Sequence, residues 1–361
     1  FPVIRVVILN GSGFELYSMT DKKEILIIGA GIAGLVAARL IRRKGMEVGI
    51  IEARGRTGGR ILSIHQSGVT LEAGPEFIHG HLKETISLLK EYHIPFLKTA
   101  GKMYHAREGR FIQQRENGAD WDMLIKRMKG IKEDLPLMQF LLENFNGEKY
   151  RKLRRLVLRF AEGFDLADVN RAGVLSLIRE WEQEDSPQYR IPSGYGRLTD
   201  TLADEFVSSG GEIYLNQPVN AVQWEKDAVC VTTDNGRKLF SRKLLITLPA
   251  AVLTRRQDGN YSIRFSPEIP EKRAALDQIG FGTAIKIVLL WQVPFWESFM
   301  DNGQLIFSEK NIPVWWTQNP VNSNVLVGWA GGRTAEVLSG LTENDLLNIA
   351  LEDLSSMFEI P

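Results

Sequence analysis

The chain has 361 residues, with 44 Lys plus Arg balanced by 44 Asp plus Glu, and 44% of its residues are hydrophobic. That length allows two domains with a core each, and the composition is ordinary for a soluble globular protein. Zero net charge gives no general attraction to nucleic acid or acidic membranes; a single cysteine, Cys230, excludes an intramolecular disulfide and suits a reducing cytoplasm; and no apolar run approaches the roughly 20 residues that span a bilayer.

Residues 1–18, FPVIRVVILNGSGFELYS, lack a basic n-region and a small-residue cleavage site, so they do not read as a signal peptide. Met19, followed by TDKK just before the first strand, looks like a natural start. Residues 1–18 are therefore expected to be an upstream translation artefact or a cloning scar, and a disordered tail.

Residues 25–60 carry the strongest signal: ILIIGAGIAGLVAARLIRRKGMEVGIIEARGRTGGR. An apolar strand runs into Gly29, Gly31 and Gly34 in the spacing G-x-G-x-x-G. A helical pattern follows to Gly45, then a second apolar strand ending on Glu52. Strand, glycine turn, helix, strand and acid in this order build a dinucleotide cradle. Gly29 permits the turn, Gly31 lets a pyrophosphate approach the backbone, and Gly34 lets the helix pack closely on the sheet. The N–H groups and dipole at the helix start favour phosphate. Glu52 is placed to accept hydrogen bonds from a ribose diol and would repel a 2′-phosphate, which disfavours NADP. On the helix, Leu35, Ala38, Leu40 and Ile41 are expected to pack, with Arg39, Arg42, Arg43 and Lys44 outward. Directly after the acid, Arg54, Arg56, Gly58, Gly59 and Arg60 add arginines and glycines suited to a diphosphate.

The succession IIGAGIAG, E-A-R and R-T-G-G-R resembles the opening of the flavin-containing amine oxidases, the family of monoamine and polyamine oxidases. Desaturases and protoporphyrinogen oxidases share it. The resemblance implies FAD as cofactor, with Gly29, Ala30, Gly31, Ala33, Gly34, Glu52, Ala53, Arg54, Gly59 and Arg60 in its binding site.

Residues 61–64 and 69–73 read as short strands around a Ser-Gly turn. The segment GPEFIHG, residues 74–80, is similar to one that passes beside the flavin ring in polyamine-type oxidases. By that resemblance Gly74, Pro75, Glu76 and Phe77 lie near the flavin. His79 either faces substrate or is a turn or capping histidine before a helix. Residues 82–186 read mostly as helices, with three- and four-residue apolar spacing at 82–92, 121–134, 137–145 and 150–160. In the last, Leu153, Leu156, Val157 and Phe160 form an apolar stripe that leaves a solvated basic face. This insertion is expected to cap the substrate site.

IPSGYGRLT, residues 191–199, is similar to a family element that introduces a helix and marks return to the FAD domain. A β-meander follows at 212–215, 219–224, 229–233, 238–241 and 243–248, with a hairpin turn at Asp234, Asn235 and Gly236. By resemblance Val219 gives its backbone to the adenine. Cys230 is expected to be buried in a strand. FGTAIKIVLLWQVPFW, residues 281–296, matches a family strand whose lysine holds a water against flavin N5, a role that falls to Lys286. Read from the residues alone, Lys286 has apolar neighbours and needs a partner. Trp315 and Trp316 either wall the substrate pocket or pack in the core. Glycines 331 and 332 read as turn residues. No residue is assigned to a metal.

The expected fold is α/β (α+β overall): a Rossmann-like FAD-binding domain with a parallel sheet and β-meander (19–80 and 191–265), and a discontinuous helix-and-sheet substrate domain (81–190 and 266–361). The family's C-terminal flavin-binding segment is expected to be missing after Pro361. The expected activity is oxidation of an amine C–N bond to an imine, with O2 as acceptor and release of H2O2; the partners are a small-molecule amine and O2. Desaturase or protoporphyrinogen oxidase-like chemistry, and an inactive flavin-binding module, are the alternatives.

Overall fold

The computed structural model describes residues 23–114, 119–182, 186–254 and 262–360, so the expected tail at 1–18 lies outside the described residues. The chain forms two compact units, one from residues 1–60 and 199–279 and the other from 61–198 and 280–361. Both mix helices and sheets, in line with the α/β expectation.

Among its described residues, the first unit is built on a seven-stranded sheet in the order Glu212–Tyr214, Val48–Ile51, Lys23–Ile28, Lys238–Ile246, Ala228–Thr233, Val219–Glu225 and Arg264–Ser266. Lys23–Ile28 and Val48–Ile51 pair in parallel, joined by the helix Ile32–Arg42. This is the expected βαβ unit, because a helix between two apolar strands returns the chain to the same sheet edge. Leu26, Ile28, Ile51, Val222, Val229, Val231 and Leu239 share its core. Cys230 is buried in its strand, and loss of solvation pushes the thiol pKa up. The hairpin turn falls at Asp234–Gly236, with Gly236 at φ +81° and the Asn235 side chain bridging Thr233 and Arg237. Residues 238–246 form one strand rather than two.

One helical reading is corrected. Arg39 is buried and paired with Glu205 at 3.1 Å, whereas Leu40 is half exposed. The helix packs against more than the sheet: a carboxylate from the Gly196–Ser208 helix meets Arg39, and a charge partner is what lets an arginine be buried.

The second unit contains a six-stranded sheet in the order Ala284–Leu290, Val325–Gly331, Val314–Trp316, Gly303–Phe307, Lys102–Arg107 and Arg110–Gln113. The last two strands lie between the expected helical segments 82–92 and 121–134, in a stretch to which no element was assigned. In Lys102–Arg107 the residues alternate between buried and accessible, which is strand periodicity rather than helical. The helices that form among the described residues of 82–186 are Lys83–Glu91, Ala119–Lys129, Leu137–Asn144, Arg151–Gly163 and Val174–Trp181. In Arg151–Gly163 the buried stripe is Leu153, Val157 and Ala161, and Leu156 is exposed.

The two faces of the sheet have separate fates. Trp315, Leu326, Ala330 and Ile306 pack with Ala350, Leu354, Met357 and Phe358 of the helix Glu343–Phe358. That helix starts in a capping box between Thr342 and Asp345. Gly328 is needed on this face because a Cβ there would lie 2.9 Å from the Trp315 ring. Trp316, Val325 and Val327 occupy the opposite face with Val288, Leu290, Phe77 and Trp329. Glycines 331 and 332 are not a separate turn: Gly331 ends a strand and Gly332, at φ +56°, opens a helix directly after it.

Candidate active site

In the first unit the glycine turn forms a tight cradle. A Cβ at Gly34 would stand 1.9 Å from the Gly29 carbonyl oxygen, so no other residue fits without moving the helix off the strand. Gly29 itself sits at φ +106°, a conformation that glycine adopts at little cost. Gly31 faces Gly59: they approach through bare Cα atoms, and the N–H of Gly58 donates to the Ala30 carbonyl at 2.9 Å. The arginine-glycine stretch is thus laid across the turn. The helix Ile32–Arg42 has no side-chain cap and no acidic residue in its first turn. Its N-terminal N–H groups and dipole suit an anion.

Glu52 is buried at the end of Val48–Ile51 and turns back over the cradle. Its Oε2 accepts from the Ala30 N–H at 2.8 Å and its Oε1 from the Arg54 N–H at 2.9 Å. One bond per oxygen leaves each a further acceptor site for a ribose hydroxyl. The backbone of Glu52 also pairs with Tyr214 and Gln217, which brings the start of the Val219–Glu225 strand close to the acid. Arg54 donates to the Gly59 carbonyl and Arg56 to those of Thr57 and Gly59, each at 2.9 Å, so these guanidiniums brace their own loop. Ala33, Ala53 and Arg60 are exposed. Glycines at the close approaches, an uncapped helix start and an acid at the second strand end together fit an adenine dinucleotide.

The second unit gathers a different constellation. Lys286 lies on Ala284–Leu290, and its Nζ donates to Glu76 Oε2 at 2.8 Å and to the Gly74 carbonyl at 3.1 Å. It also lies 5.6 Å from the centre of the Trp316 ring. Trp316 Nε1 donates to the same Glu76 oxygen at 2.9 Å. On the other side Gln318 Nε2 donates to Glu76 Oε1 at 2.9 Å, and Arg190 Nη2 stands 3.2 Å from it. Arg190 is itself buried over the Phe77 ring, 4.7 Å from its centre. Burial by itself would raise the Glu76 pKa, but the charges of Arg190 and Lys286 and the bonds from Lys286 and Trp316 outweigh it and hold the carboxyl below its ordinary range.

Glu72, on the strand Val69–Glu72, completes this neighbourhood. Its Oε1 accepts from Ser63 Oγ and the Tyr195 N–H, both at 2.7 Å, while Oε2 is buried with no hydrogen-bond partner among the described residues. Burial raises its pKa to about 7, against lowering by Ser63, Tyr195 and Lys286. An acid whose pKa is higher folded than unfolded favours folding below the unfolded value and loses that contribution as pH rises toward the folded one. The window here is pH 4.5 to about 7. Glu72→Gln keeps an oxygen acceptor and cannot ionise. Its urea-unfolding free energy relative to wild type should therefore improve between pH 5 and pH 8, by on the order of 2–3 kcal/mol. A pH-independent difference would refute this account of Glu72.

The structure therefore brings Lys286, Gly74, Glu76, Phe77 and Trp316 together, and adds Arg190, Gln318 and Glu72, which sequence reasoning passed over. Pro75 is exposed beside them. His79 ends the short strand Phe77–His79 rather than capping the helix Lys83–Glu91, whose start has no side-chain cap. Its ring is solvent-accessible and meets Phe77 and Phe164; reduced solvation lowers its pKa, opposed by Glu180. Trp315 is corrected to a core residue: it is fully buried, and its Nε1 donates to the Ile312 carbonyl at 3.1 Å. Neighbours on a strand point to opposite faces, so only one of the tryptophan pair can reach Glu76.

The model of the flavin containing amine oxidoreductase family matches residues 32–361. The chain belongs to this family. Its cofactor is accordingly FAD, and the cradle of the first unit fits that group. Among curated relatives, the chain is 28% identical over 305 residues to mouse lysine-specific histone demethylase 1B, covering 76% of this chain and 35% of that protein. It is 24% identical over 366 residues to polyamine oxidase 4 of Oryza sativa subsp. japonica, covering 92% and 72%. The chain thus spans about a third of the length of the histone demethylase relative. Among solved structures, putrescine oxidase bound to putrescine aligns with a TM-score of 0.77 at 19% identity, over 93% of this chain and 82% of that one. Cyclohexylamine oxidase from Brevibacterium oxydans IH-35A aligns with a TM-score of 0.74 at 18% identity, over 93% and 81%. At such identities the likeness is one of fold. No helix among the described residues is long and apolar enough to cross a membrane.

Proposed function

We propose that this member of the flavin amine oxidoreductases oxidises the C–N bond of a small-molecule amine to an imine, with O2 as acceptor and release of H2O2. The observation that carries the reading is Lys286. It stands on an apolar strand with two of its three N–H donors committed to Glu76 and Gly74, which leaves one donor for a water. In the family this strand lysine has that task. Gly29, Ala30, Gly31, Ala33 and Gly34 would hold the pyrophosphate of FAD, and Glu52 with Ala53 the ribose. Arg54, Gly59 and Arg60 would support the diphosphate, and the Val219 backbone the adenine. Gly74, Pro75, Glu76 and Phe77 are assigned to the ring end, and His79 and Trp316 to substrate. When bound, the flavin would supply the two-electron oxidation at the carbon beside nitrogen, with O2 as the electron acceptor. The protein's part is to bind the amine, orient it and hold water at Lys286.

The relatives also favour a second reading. Mouse lysine-specific histone demethylase 1B matches at slightly higher identity than polyamine oxidase 4, which makes an N-methylated lysine side chain a candidate amine. The test is a peroxide-coupled assay on flavin-loaded protein with putrescine, a polyamine, cyclohexylamine and an N-methyl-lysine peptide. Peroxide is expected with at least one of them. Only the neutral amine has a lone pair to drive the reaction, so kcat/KM should rise with pH toward the substrate's own pKa. Flavin-loaded protein that gives no peroxide with any amine, but oxidises a carbon–carbon substrate, would replace this reading with the desaturase alternative.

A further inference from the structure

Glu76 is engaged by protein groups on both carboxylate oxygens. A carboxylate offers about four lone-pair positions. Here Oε2 takes Lys286 Nζ and Trp316 Nε1, and Oε1 takes Gln318 Nε2 and faces Arg190 Nη2. Its surroundings are dry: the side chains of Glu76, Arg190 and Lys286 are 3%, 4% and 11% exposed. Two buried cations share this one anion, and removing an anion from such a group leaves uncompensated buried charge.

We infer that Glu76 is a positioning residue: it balances Lys286 and Arg190 in one buried charge group and fixes the Lys286 ammonium so that a single N–H donor faces outward. This deepens the reading of Lys286 given above and rests on it. The geometry supports both halves. The Lys286 backbone is held by pairing of its strand with Val325–Gly331, but a four-carbon stem still rotates freely. Two acceptors on one segment, the Gly74 carbonyl and the Glu76 carboxylate, end that freedom. The other charged or titratable groups around the pair are Arg190, Glu72 and, beside Glu72, Tyr195. Glu72 is spent on Ser63 and the Tyr195 backbone, so it does not replace Glu76 as partner to Lys286.

The test compares wild type, Glu76→Gln and Trp316→Phe as flavin-loaded proteins. Lysines are acetylated with an N-hydroxysuccinimide ester at pH 8, and the Lys286 peptide is quantified by mass spectrometry against the exposed Lys272. Glu76→Gln should raise relative labelling of Lys286 at least tenfold and lower kcat at least thirtyfold, with KM within threefold. Trp316→Phe removes a donor from the same oxygen but keeps the charge, and should change labelling less than threefold. Unchanged labelling in Glu76→Gln, or equal opening by Trp316→Phe, overturns the inference. Should Glu76→Gln not accumulate as folded protein, the double variant with Lys286→Met decides. Removing one cation is expected to restore folded yield, and failure to do so overturns the charge balance. Labelling needs no turnover. A wild type that shows the labelling pattern yet oxidises no amine counts against the proposed function alone. Active wild type with unchanged labelling in Glu76→Gln counts against the role of Glu76 alone.

Discussion

Gly34→Ala is expected to abolish flavin binding and to destabilise the first unit by more than the roughly 1–3 kcal/mol typical of an overpacked core. The added Cβ would sit 1.9 Å from the Gly29 carbonyl oxygen, a contact with backbone that no rotamer change relieves. The helix Ile32–Arg42 must lift from the strand Lys23–Ile28, and the cradle opens with it. A fall in melting temperature of about 10 °C, with loss of visible flavin absorbance, is the expected result. Gly31→Ala provides the contrast. Its nearest neighbour would be the Gly59 Cα at 4.0 Å, so the polypeptide tolerates the methyl group. That variant should fold with near-normal circular dichroism but bind flavin weakly, because the methyl group would stand in the proposed approach of the pyrophosphate. Should Gly31→Ala bind flavin as well as wild type, the turn is not the pyrophosphate site.

Lys286→Met is expected to lower kcat for amine oxidation at least about a hundredfold while leaving the flavin content unchanged. Methionine matches the length of much of the lysine stem and fills the space beside Trp316 and Val288 without supplying a donor. Glu76 keeps Arg190, Gln318 and Trp316, so it is not stranded as an unpaired buried anion. Steady-state kinetics beside flavin absorbance separate the two effects. A variant with near-normal kcat would remove Lys286 from the mechanism; one that loses flavin would show the lysine to be structural.

The legibility of the two sites differs for a physical reason. The cradle is a local object. Gly29, Gly31, Gly34 and Glu52 lie within one βαβ unit, and the turn at Gly29 and the helix contact at Gly34 follow from backbone geometry and close packing that glycine alone permits. The hairpin at Asn235-Gly236 and the buried strand position of Cys230 were legible on the same short-range grounds. The charge cluster is non-local. Glu76 and Lys286 are 210 residues apart, and Trp316 and Gln318 are farther still from Glu76. Lys286 could be marked as needing a partner because its neighbours are apolar, but with 44 acidic residues in the chain nothing local named Glu76.

The same distinction explains the corrections and the additions. Arg39 reads as outward by helical periodicity, and only the arrival of Glu205 makes its burial affordable. Trp315 and Trp316 are equivalent as letters, and strand alternation alone cannot say which face meets the core; packing of the helix Glu343–Phe358 on one face decides it. The strands at 102–107 and 110–113 sit inside a largely helical stretch and draw their stability from pairing with Gly303–Phe307, far along the chain. By itself, then, the order of residues determined the dinucleotide cradle and the α/β class and marked Lys286 as a lysine in need of a partner, because turns, periodicity and glycine packing act over a few neighbouring residues. Tertiary structure alone decided which carboxylate holds that lysine, which arginine shares it and which tryptophan faces it, because partners for a buried charge are selected by space rather than by separation along the chain.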